Sequence, residues 1–193
     1  MPYGKALVDT VESSGNLAIT GNVTVSGALT SSSSTINLGT AVSTGSTNSV
    51  VLSTTIPSWA KRITVMVNGI STSSTNGQYF VRLGTGGSTV STGYNSVGIS
   101  TSSTVTTTAY TTGIYMGSTG TTAAAILRGK MYIDLMDSAN NIWQGTTTSY
   151  RSGDADVYHS GFGQIALAGV LNTVELVTTV GVFDAGTVSI SYE

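Results

Sequence analysis

Charged residues are scarce in this sequence: Asp, Glu, Lys and Arg together make up 8% of its 193 residues. A typical soluble domain carries about a quarter charged residues. Serine and threonine take their place and form nearly a third of the chain. The protein therefore meets water mainly through neutral hydroxyl groups, and this composition favours a rigid assembly over an enzyme with a charged pocket.

Cysteine is absent, which excludes disulfides, thiolate metal sites and thiol nucleophiles. Histidine occurs once, as His159, so any catalytic triad or histidine-based metal site must include that residue. No Gly-x-Ser-x-Gly motif marks a nucleophile elbow. We therefore expect no enzymatic activity and no cofactor.

Long apolar runs are also missing, because no 18 consecutive residues are apolar. The opening Met-Pro-Tyr-Gly-Lys is not followed by the apolar segment of a signal peptide. We expect neither a secretory signal nor membrane insertion. The formal net charge of −2, with seven scattered basic residues, also argues against a nucleic-acid partner.

Hydrophobic residues, at 39% of the chain, are sufficient for an ordered core, and they alternate with polar residues over most of the sequence. Alternation with a period of two is typical of β-strands that bury one face. The clearest strands place these residues on one face: Ile63, Val65 and Val67; Tyr79, Val81 and Leu83; and Met131, Ile133 and Leu135. Further predicted strands cover residues 89–94, 105–116, 142–150, 157–168, 173–180 and 187–192, and the last two are predicted to form a hairpin.

Turn residues separate these strands, at Asn68-Gly69, Asn76-Gly77, residues 138–141 and residues 184–186. The spacing predicts an all-β fold in which residues 50–193 form an antiparallel β-sandwich resembling a jelly roll. The run at residues 121–127 is the one helix-friendly segment, and it is too short to change this class.

The N-terminal part contains a short repeat, Asn-Leu-Ala-Ile-Thr-Gly followed by Asn-Val-Thr-Val-Ser-Gly, at residues 16–27. Its aliphatic residues occupy odd positions, which places them on one edge of an extended chain: Leu17, Ile19, Val23, Val25 and Leu29. One such ribbon cannot bury this edge alone, so we predict a homotrimeric β-stalk over residues 13–30. The alternative is an edge hairpin of the main domain. Residues 31–49 are interpreted as a connector, so that residues 1–49 form the attachment segment and stalk.

Local chemistry is weakly marked in the remaining sequence. Asp154, Asp156 and His159 lie close together along the chain and are candidate ligands of a metal ion, but their spacing matches no strong metal motif. An exposed turn with solvated charges is the preferred interpretation. Gly84-Thr-Gly-Gly87 lacks the Lys-Ser/Thr ending of a phosphate-binding loop and is interpreted as a turn.

Aromatic residues provide the recognition signal in the sequence. Tyr94 and Tyr110 lie in segments rich in serine, threonine and glycine, where exposed tyrosines could contact a glycan or a protein. Packing in the core is the competing role for both residues.

Three segments carry a resemblance to a known family. The segment from Ile56 to Ile70, Ile-Pro-Ser-Trp-Ala-Lys-Arg-Ile-Thr-Val-Met-Val-Asn-Gly-Ile, resembles a module of fibre-like structural proteins of tailed bacteriophages, particularly marine phages. Residues 128–145 look like the middle of that module, and residues 183–193 look like its closing segment. Residues 4–15, together with the aliphatic repeat, look like an attachment segment. The family contributes no catalytic motif that matches residues of this chain.

The resemblance implies a virion protein whose N-terminal part docks on other virion proteins and whose distal β domain faces the host or the solvent. We expect a homotrimeric bacteriophage fibre or appendage, with adsorption to a host-surface glycan or protein as its role. The alternative is a capsid decoration or cement protein, such as a head fibre, that stabilises the capsid lattice. A polysaccharide-degrading tailspike is the enzymatic alternative, but the nine Asp and Glu residues contain no Glu-rich cluster that would support it.

Overall fold

The computed structural model describes residues 36–122 and 124–193, and these residues form an all-β fold. Their alternating sequence produces fourteen strands, which are β1 (Asn37–Leu38), β2 (Val42–Ser43), β3 (Ser49–Ser53), β4 (Arg62–Thr72), β5 (Gln78–Thr85), β6 (Ser88–Thr89), β7 (Asn95–Thr101), β8 (Val105–Tyr110), β9 (Ile114–Ser118), β10 (Ile126–Asp137), β11 (Ile142–Ser152), β12 (Val157–Ala166), β13 (Thr173–Thr178) and β14 (Phe183–Tyr192). The described part of the chain contains no α-helix, and the helix-friendly run instead leads into β10.

The strands form two sheets, and every pairing between them is antiparallel. The large sheet has the order β1-β14-β4-β10-β11-β12-β7-β8, with β2 also paired to β14. The small sheet has the order β3-β13-β5-β6, with β9 paired to β5. The sheets enclose a shared core in a sandwich-like arrangement, as the sequence predicted. In the described ranges, no helix is long and apolar enough to span a membrane.

The core lies between the inner faces of the two sheets. The residues predicted to share faces on β4, β5 and β10 are buried together, and only Leu135 among them keeps partial exposure. Val174 and Leu176 of the small sheet meet Val188 and Ile190 of the large sheet in the same cluster. Tight apolar packing thus supplies most of the cohesion, whereas the described residues form only three ion pairs.

Two of the predicted turns are bulges inside long strands. Gly69 interrupts β4 with a φ of 65°, and Gly186 interrupts β14 with a φ of 97°. The register between β4 and β14 shifts between Ala185 and Thr187, so both strands continue past their glycines. The turn predictions at Asn68-Gly69 and at residues 184–186 are therefore wrong. Those at Asn76-Gly77 and at residues 138–141 are confirmed, because both segments connect successive strands.

The predicted C-terminal hairpin is also wrong, although its residues face the predicted core. Strand β13 pairs with β3 and β5 of the small sheet, whereas β14 pairs with β1, β2 and β4 of the large sheet. The connection at residues 179–182 therefore crosses the sandwich. Alternation defines which face of a strand is buried, but it does not define which strand is its neighbour.

Part of the predicted connector belongs to the large sheet in the described residues. Residues within the predicted connector already form β1 and β2, and both strands pair with β14. The side chain of Thr44 is buried and donates to the backbone oxygen of Ala185 at 2.7 Å. The residues of the predicted stalk, Leu17, Ile19, Val23, Val25 and Leu29, lie outside the described residues.

Candidate interaction surface on the outer face of the large sheet

The outer face of the large sheet carries a group of exposed aromatic side chains. Strands β11 and β12 alternate almost perfectly between buried and exposed residues, and their odd-numbered residues face the core. The even-numbered residues therefore point outward. Four aromatic residues on this outer face are between 38% and 47% exposed, namely Tyr132, Tyr150, Tyr158 and Phe162.

Strand register brings three of the outward side chains into one row. Tyr150 of β11 lies directly opposite Tyr158 of β12, and on its other side it lies opposite Arg128 of β10. Side chains of directly paired residues interact across strands. Together with Lys130, Thr148 and the half-buried Met66, this row lines a shallow groove of about 430 Å³, which we call the tyrosine groove.

Two cations line the tyrosine groove, and one carboxylate, Asp156, lies beside it. Arg128 donates a long hydrogen bond of 3.5 Å to Ser152, and the Lys130 ammonium lies 4.9 Å from the centre of the Tyr132 ring. In the described ranges neither cation forms an ion pair with a carboxylate. Asp156 accepts a 2.6 Å hydrogen bond from the Tyr150 hydroxyl, and this contact raises the pKa of Tyr150. The local formal charge is therefore positive.

Two other depressions are less suited to binding. A cavity of about 70 Å³ lies beside Trp143 and Leu171, and its volume corresponds to roughly two water molecules. A wider depression of about 620 Å³ surrounds Arg62. There, Arg62 is already paired with Asp134 and Glu193, and the Asp134 contact raises the pKa of its guanidinium. Lys61 also lines this depression, but the depression contains two carboxylates, whereas Arg128 and Lys130 line the tyrosine groove without a lining carboxylate.

A polar network inside the fold contains the only histidine. His159 is fully buried, and its Nδ1 lies 2.9 Å from the Ser100 hydroxyl and 3.0 Å from the Tyr115 hydroxyl. Its Nε2 lies 3.4 Å from the hydroxyl of Ser118, which accepts a 2.7 Å hydrogen bond from Arg151. Each ring nitrogen of His159 therefore has a hydroxyl group within hydrogen-bond distance.

The environment of His159 opposes a positive charge. Burial, together with the nearby Arg151 cation, lowers the pKa of His159 from 6.5 to about 4. Among the described residues, the hydrogen-bond partners of this imidazole are hydroxyl groups and not a carboxylate, so they do not form the arrangement of a hydrolytic triad. The network therefore joins β7, β9, β11 and β12 as a structural element.

The three candidate metal ligands do not converge. Asp154 pairs with Arg151 at 3.1 Å and accepts a 2.7 Å hydrogen bond from the backbone N–H of Thr121. Asp156 lies at the outer face beside Tyr150, whereas His159 faces the interior. In residues 36–122 and 124–193, no group of three His, Cys, Asp or Glu side chains is placed to hold a metal ion.

Asp154 also departs from the expected turn of solvated charges, because its side chain is only 4% exposed. Burial acts to raise the pKa of Asp154, but the backbone N–H groups of Thr121 and Ala155 and the charge of Arg151 outweigh this effect and lower it. Asp154 is thus an ionised, hydrogen-bonded anchor between the turn and the Thr121 segment.

Tyr94 and Tyr110 occupy different environments. Tyr94 is 3% exposed, and its hydroxyl accepts a 2.7 Å hydrogen bond from the backbone N–H of Leu83. The proposed surface role is therefore wrong for Tyr94, because its ring fills the core. Tyr110 is partly buried and stacks on Tyr115 with ring centres 5.2 Å apart, so it covers a second small core that contains Phe80.

The sequence interpretation named Tyr94 and Tyr110 for recognition and missed Tyr158, Arg128 and Lys130. The signal that could have found them is the alternation itself. If Met131, Ile133 and Leu135 face the core, then Arg128, Lys130 and Tyr132 face outward. These residues contact the row of Tyr150 and Tyr158 only if β10, β11 and β12 are adjacent in the sheet. The short connections between these strands favour that order.

These features define the class of the protein as an all-β, antiparallel sandwich with an aromatic outer face. Comparison with protein-family models, with curated proteins and with solved structures finds no match.

Proposed function

We propose that this chain is a non-enzymatic structural protein of a bacteriophage virion. In this proposal it forms a homotrimeric fibre or appendage, docks on other virion proteins through its N-terminal segment and presents the β-sandwich for adsorption to the host surface. The tyrosine groove carries the proposal, because it places exposed aromatic and cationic side chains on a continuous sheet. Strands that are paired with a neighbour on both sides form a rigid base for recognition.

The environment of the polar side chains supports adhesion rather than catalysis. The one imidazole is buried in a network of hydroxyl groups, and the hydroxyls nearest to it are held by hydrogen bonds. Four exposed aromatic residues lie instead on the outer face of the large sheet. Exposed tyrosines are suited to binding because they combine apolar area with a polar hydroxyl.

The homotrimeric state is supported by the sequence of the N-terminal segment. In an extended chain its odd-numbered aliphatic residues would form an apolar edge that a single ribbon leaves in water, and three ribbons around one axis would cover it. The segment resemblance to bacteriophage fibre proteins agrees with this arrangement.

Three measurements test the proposal. Light scattering on the full-length protein should give three times the mass of one chain, and a stable monomer at micromolar concentration would contradict the fibre. Purified protein added to host cells should compete with phage particles for adsorption. Electron microscopy of particles should place the protein on the tail or another adsorption appendage. Density confined to capsid lattice positions would instead support a decoration protein.

A further inference from the structure

We propose that the tyrosine groove binds a carboxylate-bearing saccharide, such as a uronic acid unit of a host-surface polysaccharide. This inference rests on the proposed adsorption function and names the chemical class of its ligand. It follows from the shape of the groove, from its aromatic walls and from its charge.

The shape of the groove suits a sugar unit at the surface of a polymer. Its volume of about 430 Å³ falls within the range of small-molecule sites, and it is open to solvent along the sheet. An open groove lets a polysaccharide enter without passing its ends through a closed pocket. The register of Tyr150 and Tyr158 places the two rings side by side on neighbouring strands.

The walls of the groove match the two kinds of surface on a pyranose ring. The C–H faces of a sugar pack against flat apolar groups, and both tyrosine rings keep more than 40% of their surface exposed. The hydroxyls of a sugar need donors and acceptors, which Thr148 and the tyrosine hydroxyls can supply.

The charge of the groove selects an anionic sugar. Arg128 and Lys130 outnumber the carboxylate of Asp156, and the Asp156 oxygen is already occupied by the Tyr150 hydroxyl. A guanidinium binds a carboxylate through two parallel hydrogen bonds, which a neutral sugar cannot accept in the same way. Two cations are too few for a nucleic-acid backbone on a chain whose net charge is −2.

A second copy of this chain is a poorer occupant of the groove. A twofold contact through this face would bring the Arg128 and Lys130 side chains of both copies together, and like charges across an interface oppose association. Self-association through the groove is nevertheless a measurable outcome of the test.

The test measures binding of two matched oligosaccharides to the full-length protein by isothermal titration calorimetry. An oligomer of glucuronic acid should bind, and the neutral glucose oligomer of the same length and linkage should bind at least about tenfold more weakly. Arg128→Gln should reduce the affinity for the glucuronic acid oligomer by about tenfold or more. Lys61→Gln removes an exposed cation outside the groove and should leave the affinity unchanged.

The aromatic walls are tested in the same way. Tyr158→Ala should reduce binding of the glucuronic acid oligomer, whereas Phe162→Ala removes a similarly exposed ring of the same face and should have little effect. Equal affinity for the acidic and neutral oligomers, or normal binding by Arg128→Gln and Tyr158→Ala, would overturn the inference. A change in oligomeric mass caused by Tyr158→Ala would overturn it in favour of a contact between copies. Thermal melting of each variant verifies that the fold is intact.

The failure of this inference can be distinguished from the failure of the proposed function. If the wild-type protein blocks phage adsorption and the groove variants block it equally well, adsorption stands and the groove is not its site. If the glucuronic acid oligomer binds in the groove but the protein is monomeric and absent from particles, saccharide binding stands and the virion function fails.

Discussion

At the scale of single residues, His159 links the stability of the fold to pH. In the folded protein the pKa of His159 is about 4, whereas the ordinary value is 6.5. The unfolded chain therefore takes up a proton at a higher pH than the folded chain does. This contribution to stability is fully present above pH 6.5 and is lost as the pH falls toward 4.

We expect the free energy of unfolding to decrease by up to about 3 kcal/mol over this interval. Denaturant unfolding at several pH values between 7 and 5 measures the slope before most carboxylates titrate. His159→Gln retains hydrogen-bonding capacity without a titrating ring, so the slope should largely disappear in this variant. An unchanged slope in His159→Gln would assign the pH dependence to other groups.

The sequence suggests a surface role for Tyr94, but its ring packs in the core. Tyr94→Phe removes the hydroxyl that accepts from the Leu83 backbone N–H and leaves this buried donor without its partner. We expect the variant to lose about 1–3 kcal/mol of unfolding free energy in denaturant titration. Tyr158→Phe removes a hydroxyl from an exposed ring and should change the stability by much less. Equal effects of the two substitutions would contradict the packing role of Tyr94.

At the scale of elements, the paired bulges of β4 and β14 depend on glycine. A Cβ atom on Gly186 would lie 2.5 Å from the backbone oxygen of Gly69, and the φ of 97° is itself unfavourable for other residues. Gly186→Ala should therefore reduce the free energy of unfolding by about 2–4 kcal/mol. Gly45→Ala is the matched control, because a Cβ there meets nothing within 4 Å. Equal stability of the two variants would show that the strands relax without cost.

The same bulges explain where sequence reasoning about elements succeeded and where it failed. Alternation predicted the long strands and their buried faces, because burying one face of a pleated strand imposes a period of two on the sequence. Asn68-Gly69 carries the strongest local signal of a hairpin turn, yet β4 continues through it. A glycine with positive φ serves a bulge as well as a turn, and only the pairing with β10 and β14 decides between them.

Partner choice was the second part of the fold that the sequence could not define. Strands β13 and β14 are neighbours in the chain, but they lie in opposite sheets. The core accepts Val174 and Val188 in either arrangement, because the hydrophobic effect has no preferred direction. The tyrosine groove was therefore only partly predictable from the sequence. The even-numbered positions of Tyr150 and Tyr158 place both side chains outward, but their alignment depends on the pairing of β11 with β12.

At the scale of the whole molecule, the predicted trimer depends on the odd-numbered aliphatic edge near the N-terminus. Val23→Asp places a charge on that edge, and removing an unpaired charge from water is costly. We expect the substitution to weaken trimer formation by several kcal/mol, as measured by sedimentation equilibrium. Thr24→Asp adds the same charge at an even-numbered position and should leave the trimer intact. Unchanged association of Val23→Asp would reject the shared-axis stalk.

The described fold has few ion pairs, so its stability should depend little on the salt concentration of the medium. Two of them share Arg62 at the surface, and the third, between Arg151 and Asp154, is shielded from solvent. Dissolved ions screen exposed charges over a Debye length of about 10 Å at 0.1 M and about 3 Å at 1 M, but they have little effect on hydroxyl groups or buried pairs. The melting temperature of the sandwich should therefore be nearly the same in dilute buffer as in sodium chloride brine. A surface built from serine and threonine makes the fold tolerant of salinity.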